Sequence, residues 1–318
     1  MRKIPEAKPL FIERMKSLLG NDFNNYMEIL KSEPVRSIRT NTLKITPEKL
    51  KEKLKNKSWI IKQPFKEYPE IMIVENNLEP GELGRALEHL LGYYYIQELA
   101  SMLPIIALKP KPDETILDLC SSPGSKTTQM ASFMNNSGTI VANEVSLGRI
   151  KILASNLERC GVTNTIITKK DGVVLCKKLK KENFQFDKIL VDAPCSGEGT
   201  LRSTLKTYLM WNIKTVKSVS RIQKNLLSSA LDILKPNGEL IYSTCTHSPE
   251  ENEEVIDFIM KKFNDIKIEK ISLPVKSREG ITKWQDKEYL EEIKYACRIY
   301  PQDNNTEGFF LVKIKKLK

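Results

Sequence analysis

The feature that most constrains the fold is the alternation of short apolar segments with amphipathic segments through the middle of the chain. Five stretches have the apolar and β-branched composition of buried strands: Thr115–Leu119, Thr139–Asn143, Thr165–Thr168, Lys188–Val191 and Leu240–Ser243. Between them apolar residues recur with helical spacing, most clearly over Leu147–Cys160 and Val219–Leu234. Strands that are apolar on both faces need helices on both sides of their sheet. The sequence therefore predicts an α/β fold with a mostly parallel, doubly wound sheet.

The chain before this alternation has a different pattern. Ser37–Lys44 and Glu70–Glu75 have the composition and alternation of strands, and a lysine-rich helix is predicted to follow its cap, Thr46. We therefore predict a small N-terminal α/β module over residues 1–87 and a larger catalytic body over residues 88–318.

Two predictions concern the ends of the larger body. Apolar residues on one helical face predict a helix over Glu88–Leu103, and Pro104 is expected to end or kink it. Near the other end, Phe309–Lys313 is predicted to add an antiparallel edge strand to the sheet.

Composition is that of an ordinary globular protein. Of the 318 residues, 40% are hydrophobic and 29% are charged. No apolar run approaches the roughly 18 residues of a membrane span, and the first residues do not resemble a secretory signal. We therefore expect a cytoplasmic protein with no membrane partner, and a monomer.

The six cysteines are predicted to be free thiols. No two of them have C-x-x-C spacing, which removes the usual signal for structural zinc or thioredoxin chemistry. No metal is expected. Most free cysteines are small buried side chains, but Cys195 and Cys245 lie in polar turns rich in glycine or proline, where burial explains them poorly.

The net charge of +11 is unevenly distributed. Val35–Lys62 has nine basic residues against two acidic ones, and Gly199–Leu231 has six basic residues and no acidic one. Each stretch is either a solvated helix face or a nucleic-acid surface, and composition alone favours neither.

The loop after the first strand of the body is suited to bind a ligand. Ligands of doubly wound sheets bind beyond the carboxyl ends of the strands. Small residues up to Gly124 let the backbone approach a ligand, and a helix that begins near Ser125 presents free N–H groups. A phosphate-binding P-loop is excluded, because it needs glycine where this chain has Cys120 and Ser125 before Lys126. The dinucleotide pattern G-x-G-x-x-G is also absent from this loop.

Acidic residues follow the next two predicted strands. Glu144 lies twenty positions after Gly124, where an acidic side chain typically accepts hydrogen bonds from ribose hydroxyls. Ser146 is predicted to cap the helix that follows. Asp171 is placed to reach an adenine edge, although an ordinary turn residue is equally compatible with the pattern. A glycine-containing loop with two such acids and no phosphate motif indicates S-adenosylmethionine as the cofactor.

The fourth and fifth strands end in two loops that carry thiols. Their sequences are DAPCSGEG, with Cys195, and STCTHSPEE, with Cys245. The second loop is predicted to enter a helix through a capping box, with Ser248 at the cap and Glu251 at the third position. Because the two strands are predicted neighbours, both thiols should face one crevice.

These motifs together resemble the Sun/Fmu family of RNA cytosine-5 methyltransferases. The resemblance rests on the segments LDLCSSPGSKTTQM, VANEVSLGRI, VDAPCSGEGT, YSTCTHSPEENEEV and RIYPQDNNTEGFFLVKIKK. The upstream segments SIRTNTLK and GYYYIQELASMLP extend it, so it covers most of the chain from about Arg36. It implies a class I S-adenosylmethionine-dependent methyltransferase fold with a seven-strand mixed sheet and an N-terminal RNA-binding module.

The resemblance also implies roles for individual residues. Cys245 adds to C6 of the target cytosine, Cys195 assists the release of the product, Asp192 contacts N3 of the base, and Lys126 orients groups in the site. The implied cofactor-binding residues are Cys120, Ser121, Ser122, Pro123, Gly124, Ser125, Lys126, Glu144, Arg149, Asp171 and Asp192.

Three alternatives stay open on the sequence. An RNA enzyme of this compact size is expected to act on tRNA, but rRNA methylation uses the same chemistry. A DNA cytosine-5 methyltransferase would use the Pro-Cys thiol as its nucleophile and would not explain the Thr-Cys motif. A non-catalytic RNA-binding protein on this fold would keep the basic stretches and lose a thiol or a cofactor acid, whereas this chain has both thiols and both acids.

Overall fold

A computed structural model of the chain describes residues 5–76 and 78–318. The α-helices, numbered in chain order, are α1 Pro9–Leu19, α2 Phe23–Leu30, α3 Pro47–Lys55, α4 Glu82–Arg85, α5 Leu87–Leu90, α6 Leu99–Leu108, α7 Ser125–Phe133, α8 Leu147–Cys160, α9 Gly172–Lys181, α10 Lys206–Met210, α11 Ile213–Asp232, α12 Glu253–Lys262 and α13 Pro301–Asn304. Short 3-10 helices cover Gly20–Asp22, Glu198–Thr200 and Glu291–Tyr295.

In the described part of the chain the strands form three sheets. They are β1 Arg36–Thr40, β2 Ile61–Lys62, β3 Ile71–Val74, β4 Tyr94–Ile96, β5 Thr115–Asp118, β6 Thr139–Asn143, β7 Thr165–Thr168, β8 Phe186–Asp192, β9 Leu234–Thr244, β10 Ile266–Glu269, β11 Arg278–Glu279, β12 Lys283–Trp284, β13 Lys287–Glu288, β14 Cys297–Ile299 and β15 Phe309–Lys316. Within residues 5–76 and 78–318, the largest sheet has nine strands in the order β11-β14-β15-β9-β8-β5-β6-β7, with β10 also paired to β15.

The chain divides into two compact units. The central unit contains Val35–Leu190 and Ile233–Lys235, and the composite unit contains the described residues up to Pro34 together with Val191–Asp232 and Pro236–Lys318. The predicted boundary after residue 87 stays a prediction.

The central unit contains a small antiparallel sheet and the parallel strands of the large one. The small sheet has the order β2-β3-β1-β4, and α3 packs on it through Leu50 and Leu54, which join Ile38 and Tyr94 in an apolar core. The helix α3 begins as predicted, with the Thr46 side chain accepting a hydrogen bond in its first turn. In the large sheet, β8, β5, β6 and β7 pair in parallel in that order.

The composite unit contains the antiparallel part of the large sheet. β15 pairs antiparallel with β9 along Phe310–Lys315, and its other edge is shared by β14 and β10. The predicted late antiparallel strand is therefore confirmed, but it lies inside the sheet rather than at its edge. The helices α1 and α2 bury Phe11, Met15 and Tyr26 against Tyr208 and Trp211 of the same unit.

The body follows the predicted alternation of strands and helices, with three differences. The five predicted strands form at β5 to β9, and the mixed sheet contains nine strands rather than seven, because short segments such as β11 extend it. The predicted helix over Glu88–Leu103 is wrong, since Tyr94–Ile96 pairs with β1 as β4 between two separate helices. Pro104 does not end α6, which continues to Leu108.

Candidate active site

Two thiols lie side by side in the composite unit. The backbone N–H of Ala193 donates to the carbonyl oxygen of Ser243 at 2.9 Å, which aligns the ends of β8 and β9. Cys195 and Cys245 follow these strand ends, and their Sγ atoms are 3.2 Å apart. Both residues are partly exposed. The structure therefore brings together the two thiols for which the sequence predicts a common crevice.

The Cys195 thiol is held in its protonated form. Its hydrogen bond with Cys245 raises the pKa of Cys195 well above its ordinary value, and burial and the charge of Glu251 raise it further. At neutral pH Cys195 is therefore a proton donor rather than a thiolate.

One buried carboxylate connects the two thiol loops. Oε2 of Glu251 accepts hydrogen bonds from the N–H of Ser196 at 2.9 Å and from Nε2 of Gln223 at 3.0 Å. Oε1 accepts a longer hydrogen bond from Oγ1 of Thr246 at 3.5 Å. Gln223 also donates to the carbonyl oxygen of Pro194 at 2.8 Å. Burial raises the pKa of Glu251 to about 7.

The predicted capping box is wrong. Helix α12 begins only at Glu253, and its first turn has no side-chain cap from Ser248. Instead Oγ of Ser248 donates to Oε1 of Glu198 at 2.7 Å. The side chains of Ser248 and Glu251 find partners in distant segments, and these buried contacts replace the local cap that the sequence pattern predicts.

A buried histidine follows the Cys245 loop. The ring of His247 stacks on Tyr300 with centroids 4.9 Å apart and meets the ring of Tyr26 edge-on at 5.5 Å. Its Nε2 has no hydrogen-bond partner among the described residues, and burial together with the charge of Arg298 lowers the pKa of His247 to about 3. A Cβ on Gly308 would lie 2.2 Å from this ring, so only glycine fits there.

Asp192 ends β8 in the same unit as the thiols. Its Oδ1 accepts a hydrogen bond from Oγ of Ser243 at 2.8 Å, which fixes the orientation of the half-buried carboxylate. Its predicted contact with a base stays a prediction.

In the central unit, the glycine-containing loop is held largely through backbone atoms. The N–H and the Oγ of Ser121 both donate to the carbonyl oxygen of Asn143 at 2.9 Å. Ser122 donates through Oγ to the carbonyl oxygen of Arg149 at 3.0 Å, and Arg149 donates back to that of Ser122 at 2.6 Å. Gly124 precedes α7 with φ +101°, and a Cβ there would lie 3.0 Å from a buried leucine.

The two acids predicted to bind the cofactor both have partners in the protein. Oε1 of the buried Glu144 accepts the N–H of Ser146 at 2.8 Å, and Oε2 lies 3.2 Å from Nη1 of Arg149. Ser146 precedes α8 but gives no side-chain cap, contrary to the prediction. Oδ1 of Asp171 accepts the N–H of Val174 at 3.0 Å and caps α9.

Arg39 and Lys126 anchor the start of α7. Nη1 of Arg39 donates to the carbonyl oxygen of Ser125 at 2.8 Å, and Nη2 donates to Oγ1 of Thr128 at 2.8 Å. Lys126 is also buried, and its Nζ donates to Oγ of Ser101 at 2.9 Å. Arg39 belongs to the first basic stretch, but its side chain is buried and therefore contributes no exposed charge to that stretch.

The second basic stretch also contains one buried arginine. Arg202 is fully buried, and it donates to the carbonyl oxygens of Thr306 at 3.0 Å and Glu33 at 2.7 Å. It is therefore a structural residue of the composite unit. The exposed cations of this stretch lie on α10 and α11 and are Lys206, Lys214, Lys217 and Arg221.

The structure contains neither a metal cluster nor a membrane span in its described part. Within residues 5–76 and 78–318, no group of His, Cys, Asp and Glu side chains is placed to hold a metal ion. None of the helices in these ranges is both long and apolar enough to cross a membrane.

Sequence reasoning missed Gln223 and Arg39 as residues that hold the site together. Gln223 occupies a buried position on α11 with Val216, Ser220 and Leu227, and a polar residue at a core position of a helix was the available signal. No comparable signal marked Arg39, because an arginine in a basic stretch is usually exposed.

Two family profiles match nearly the whole chain. The profile of the 16S rRNA methyltransferases RsmB/F matches residues 105–315. The profile of the N-terminal domain of 16S rRNA methyltransferase RsmF matches residues 8–99.

Two curated relatives differ in the RNA that their names give. The chain is 43% identical over 285 residues to a tRNA (cytosine(49)-C(5))-methyltransferase of Pyrococcus abyssi, an alignment that covers 89% of each protein. It is 39% identical over 323 residues to the ribosomal RNA small subunit methyltransferase F of Psychromonas ingrahamii. That alignment covers 99% of this chain but only 64% of the relative.

Two solved structures resemble the chain over nearly its whole length. A methyltransferase homolog protein from Pyrococcus horikoshii has a TM-score of 0.85 at 35% identity, covering 98% of this chain and 95% of that one. NSun6 from Pyrococcus horikoshii, crystallised with SFG, has a TM-score of 0.83 at 25% identity and 98% coverage of both chains. The chain belongs to the RsmB/F family of RNA cytosine-5 methyltransferases, which are class I enzymes that use S-adenosylmethionine.

Proposed function

We propose that this protein methylates C5 of cytosine in tRNA through a covalent adduct between Cys245 and C6 of the base. The observation that carries the proposal is the pair of thiols 3.2 Å apart at the ends of β8 and β9. Cytosine C5 is a weak nucleophile, and adding a thiolate at C6 makes it electron-rich enough to take a methyl group. A second thiol this close to the first can assist the release of such an adduct.

The central unit fits the cofactor. Glu144 offers a buried carboxylate to accept ribose hydroxyls, and Gly124 turns the loop into α7 with φ +101°, a left-handed backbone conformation that favours glycine. We propose that the loop from Cys120 to Lys126, together with Arg149 and Asp171, completes this site, and the expected contact of Asp192 with the cofactor stays a prediction. S-adenosylmethionine supplies the methyl group when it is bound.

The two thiols and Asp192 would each have a different role in the reaction of the base. Cys245 forms a bond to C6, and the electrons of the C5–C6 double bond become available at C5. N3 takes a proton from water as the thiolate adds, and Asp192 accepts a hydrogen bond from that N3–H. After the methyl transfer a water molecule takes the C5 proton, N3 returns its proton to water, and the bond between sulfur and C6 breaks to regenerate the Cys245 thiolate while Cys195 assists the release. Lys126 would orient groups in the site.

The identities favour tRNA over rRNA as the substrate. The chain is 43% identical to the tRNA enzyme from Pyrococcus abyssi and 39% identical to the rRNA enzyme from Psychromonas ingrahamii. We propose that the protein acts on tRNA in the cytoplasm as a monomer. Methylating purified tRNA and 16S rRNA in parallel and mapping 5-methylcytosine by bisulfite sequencing tests the choice, and modification of rRNA alone would reverse it.

Denaturing electrophoresis with labelled RNA and S-adenosylmethionine tests the roles of the two thiols. Cys245→Ser should reduce methyl transfer to background without forming an adduct, because a hydroxyl is a much weaker nucleophile at neutral pH. Cys195→Ser should accumulate protein that migrates with RNA attached. The opposite pattern would exchange the two roles, as expected of a DNA-type enzyme. Absence of both methyl transfer and adduct in the wild-type protein would favour a non-catalytic RNA-binding protein.

A further inference from the structure

We propose that Glu251 is a positioning residue that ties the Cys195 loop to the Cys245 loop and selects Cys245 as the attacking thiol. This inference rests on the proposed function, because it concerns which thiol attacks the base. Its first test nevertheless needs neither RNA nor S-adenosylmethionine.

The carboxylate is bound to both loops one residue beyond each thiol. Ser196 follows Cys195 and donates its N–H at 2.9 Å, while Thr246 follows Cys245 and has its hydroxyl 3.5 Å from the other carboxylate oxygen. The hydroxyls of Ser196 and Thr246 are themselves 2.9 Å apart. The same group therefore controls the placement of both thiols.

Two buried side chains hold Glu251 in place. Gln223 of α11 donates to its carboxylate at 3.0 Å and to Pro194 at 2.8 Å, and Tyr242 of β9 donates its hydroxyl to the Glu251 carbonyl oxygen at 2.6 Å. Glu251, Gln223 and Tyr242 are each fully buried. A buried polar network whose members are hydrogen-bonded is rigid, so Glu251 cannot move away from the thiols without breaking it.

The charge of Glu251 discriminates between the two thiols. The titratable groups that face it are Cys195 and Glu198 from the segment after β8 and Tyr242 from β9. A negative carboxylate beside Cys195 opposes a second negative charge there. This charge adds to the hydrogen bond with Cys245 and to burial, which raise the pKa of Cys195 more strongly. Cys195 therefore keeps its proton, and Cys245 is left as the thiol that attacks.

The test is the pH dependence of alkylation by iodoacetamide of the full-length protein, resolved for each cysteine by mass spectrometry. Glu251→Gln removes the charge, and its amide oxygen still accepts the N–H of Ser196. We expect this variant to lower the pH midpoint of Cys195 alkylation by about one unit, the usual effect of losing a nearby like charge. The matched control is Glu254→Gln, which removes a carboxylate that pairs with Lys224 and Lys287 instead, and its Cys195 midpoint should equal that of the wild type.

A second variant keeps the test decisive if Glu251→Gln does not fold. Gln223→Leu leaves the carboxylate in place but removes a donor that stabilises its charge, so it should lower the Cys195 midpoint by a smaller amount. A Cys195 midpoint that is the same in the wild type and in every folded variant of Glu251 or Gln223 would overturn the proposal.

A separate measurement distinguishes this inference from the proposed function. If the wild type methylates RNA, Glu251→Asp should lower kcat with KM unchanged, because the shorter side chain keeps the charge but loosens the link between the loops. An unchanged kcat in Glu251→Asp would contradict the positioning role. If the wild type does not methylate RNA but the Cys195 midpoint shifts as expected, the proposed function fails while the effect of Glu251 on the thiols stands.

Discussion

The loops around the two thiols and the glycine-containing loop both follow strands of the large sheet, but different atoms hold them. The side chains of Glu251, Glu198 and Gln223 fix the thiol loops. In the glycine-containing loop, Ser121 and Ser122 are bound to backbone carbonyl oxygens. The thiol loops should therefore respond strongly to pH and to removal of charge, whereas the glycine-containing loop should respond mainly to changes in backbone shape.

Lowering the pH should produce the largest effect, a loss of unfolding free energy that arises in the thiol region. The pKa of His247 is lowered from 6.5 to about 3, so its stabilising contribution is complete above pH 6.5 and is lost as the pH falls towards 3. Between pH 7 and pH 4 this group alone should cost about 3 kcal/mol of unfolding free energy, at 1.36 kcal/mol for each pKa unit. His247→Gln should lack this loss in urea unfolding measured at both pH values.

The other histidine and Glu251 provide the controls. His89 is only partly buried, and burial lowers its pKa, so His89→Gln should remove a smaller part of the acid dependence. Glu251 acts in the opposite direction, because its raised pKa of about 7 stabilises the protein at low pH and this contribution is lost as the pH rises from 4.5 through 7. If the wild type and His247→Gln lose the same unfolding free energy between pH 7 and pH 4, the thiol region is not the source of the acid sensitivity.

Removing the Glu144 carboxylate, which is predicted to bind the cofactor ribose, should produce the next largest effect. Glu144→Ala should weaken S-adenosylmethionine binding roughly 10- to 150-fold, since hydrogen bonds to a charged group contribute about 1.5–3 kcal/mol. Isothermal titration calorimetry measures this change. Glu144→Gln, which can still accept the N–H of Ser146, should lose less affinity.

The same variants show whether the two regions are independent. Glu144→Ala should leave the alkylation profiles of Cys195 and Cys245 as in the wild type. If a folded Glu144→Ala protein binds S-adenosylmethionine with wild-type affinity, Glu144 does not bind the ribose hydroxyls of the cofactor.

The smallest expected effect concerns the exposed cations of the composite unit. Replacing Lys206, Lys214 and Lys217 with glutamine should weaken RNA binding and reduce the salt dependence of the binding constant by up to about three phosphate contacts. Cofactor affinity should not change. Filter binding over a range of salt concentrations measures the slope, and glutamine at Lys177, Lys178 and Lys181 of α9 removes the same number of exposed charges as a control. If the two triple variants show the same salt dependence of RNA binding, the exposed cations of α10 and α11 form an ordinary solvated surface and do not contact RNA.

The sequence by itself determined the order of strands and helices and the residues at the strand ends. Strands β5 to β9 are short apolar segments whose periodicity is local, and the loops after them contain Gly124, Cys195 and Cys245 within recognisable motifs. The proximity of the two thiols was predictable because strand order in such sheets follows few topologies.

Only the tertiary structure decided which polar side chains are buried and with which partners. Arg39 and Arg202 stand in basic stretches yet are buried, and Ser248 and Glu251 match a capping box yet bind distant segments. Tyr94–Ile96 continues a helical pattern but pairs as a strand. A buried polar group must be hydrogen-bonded wherever its partner comes from in the chain, and local periodicity contains no information about partners many residues away.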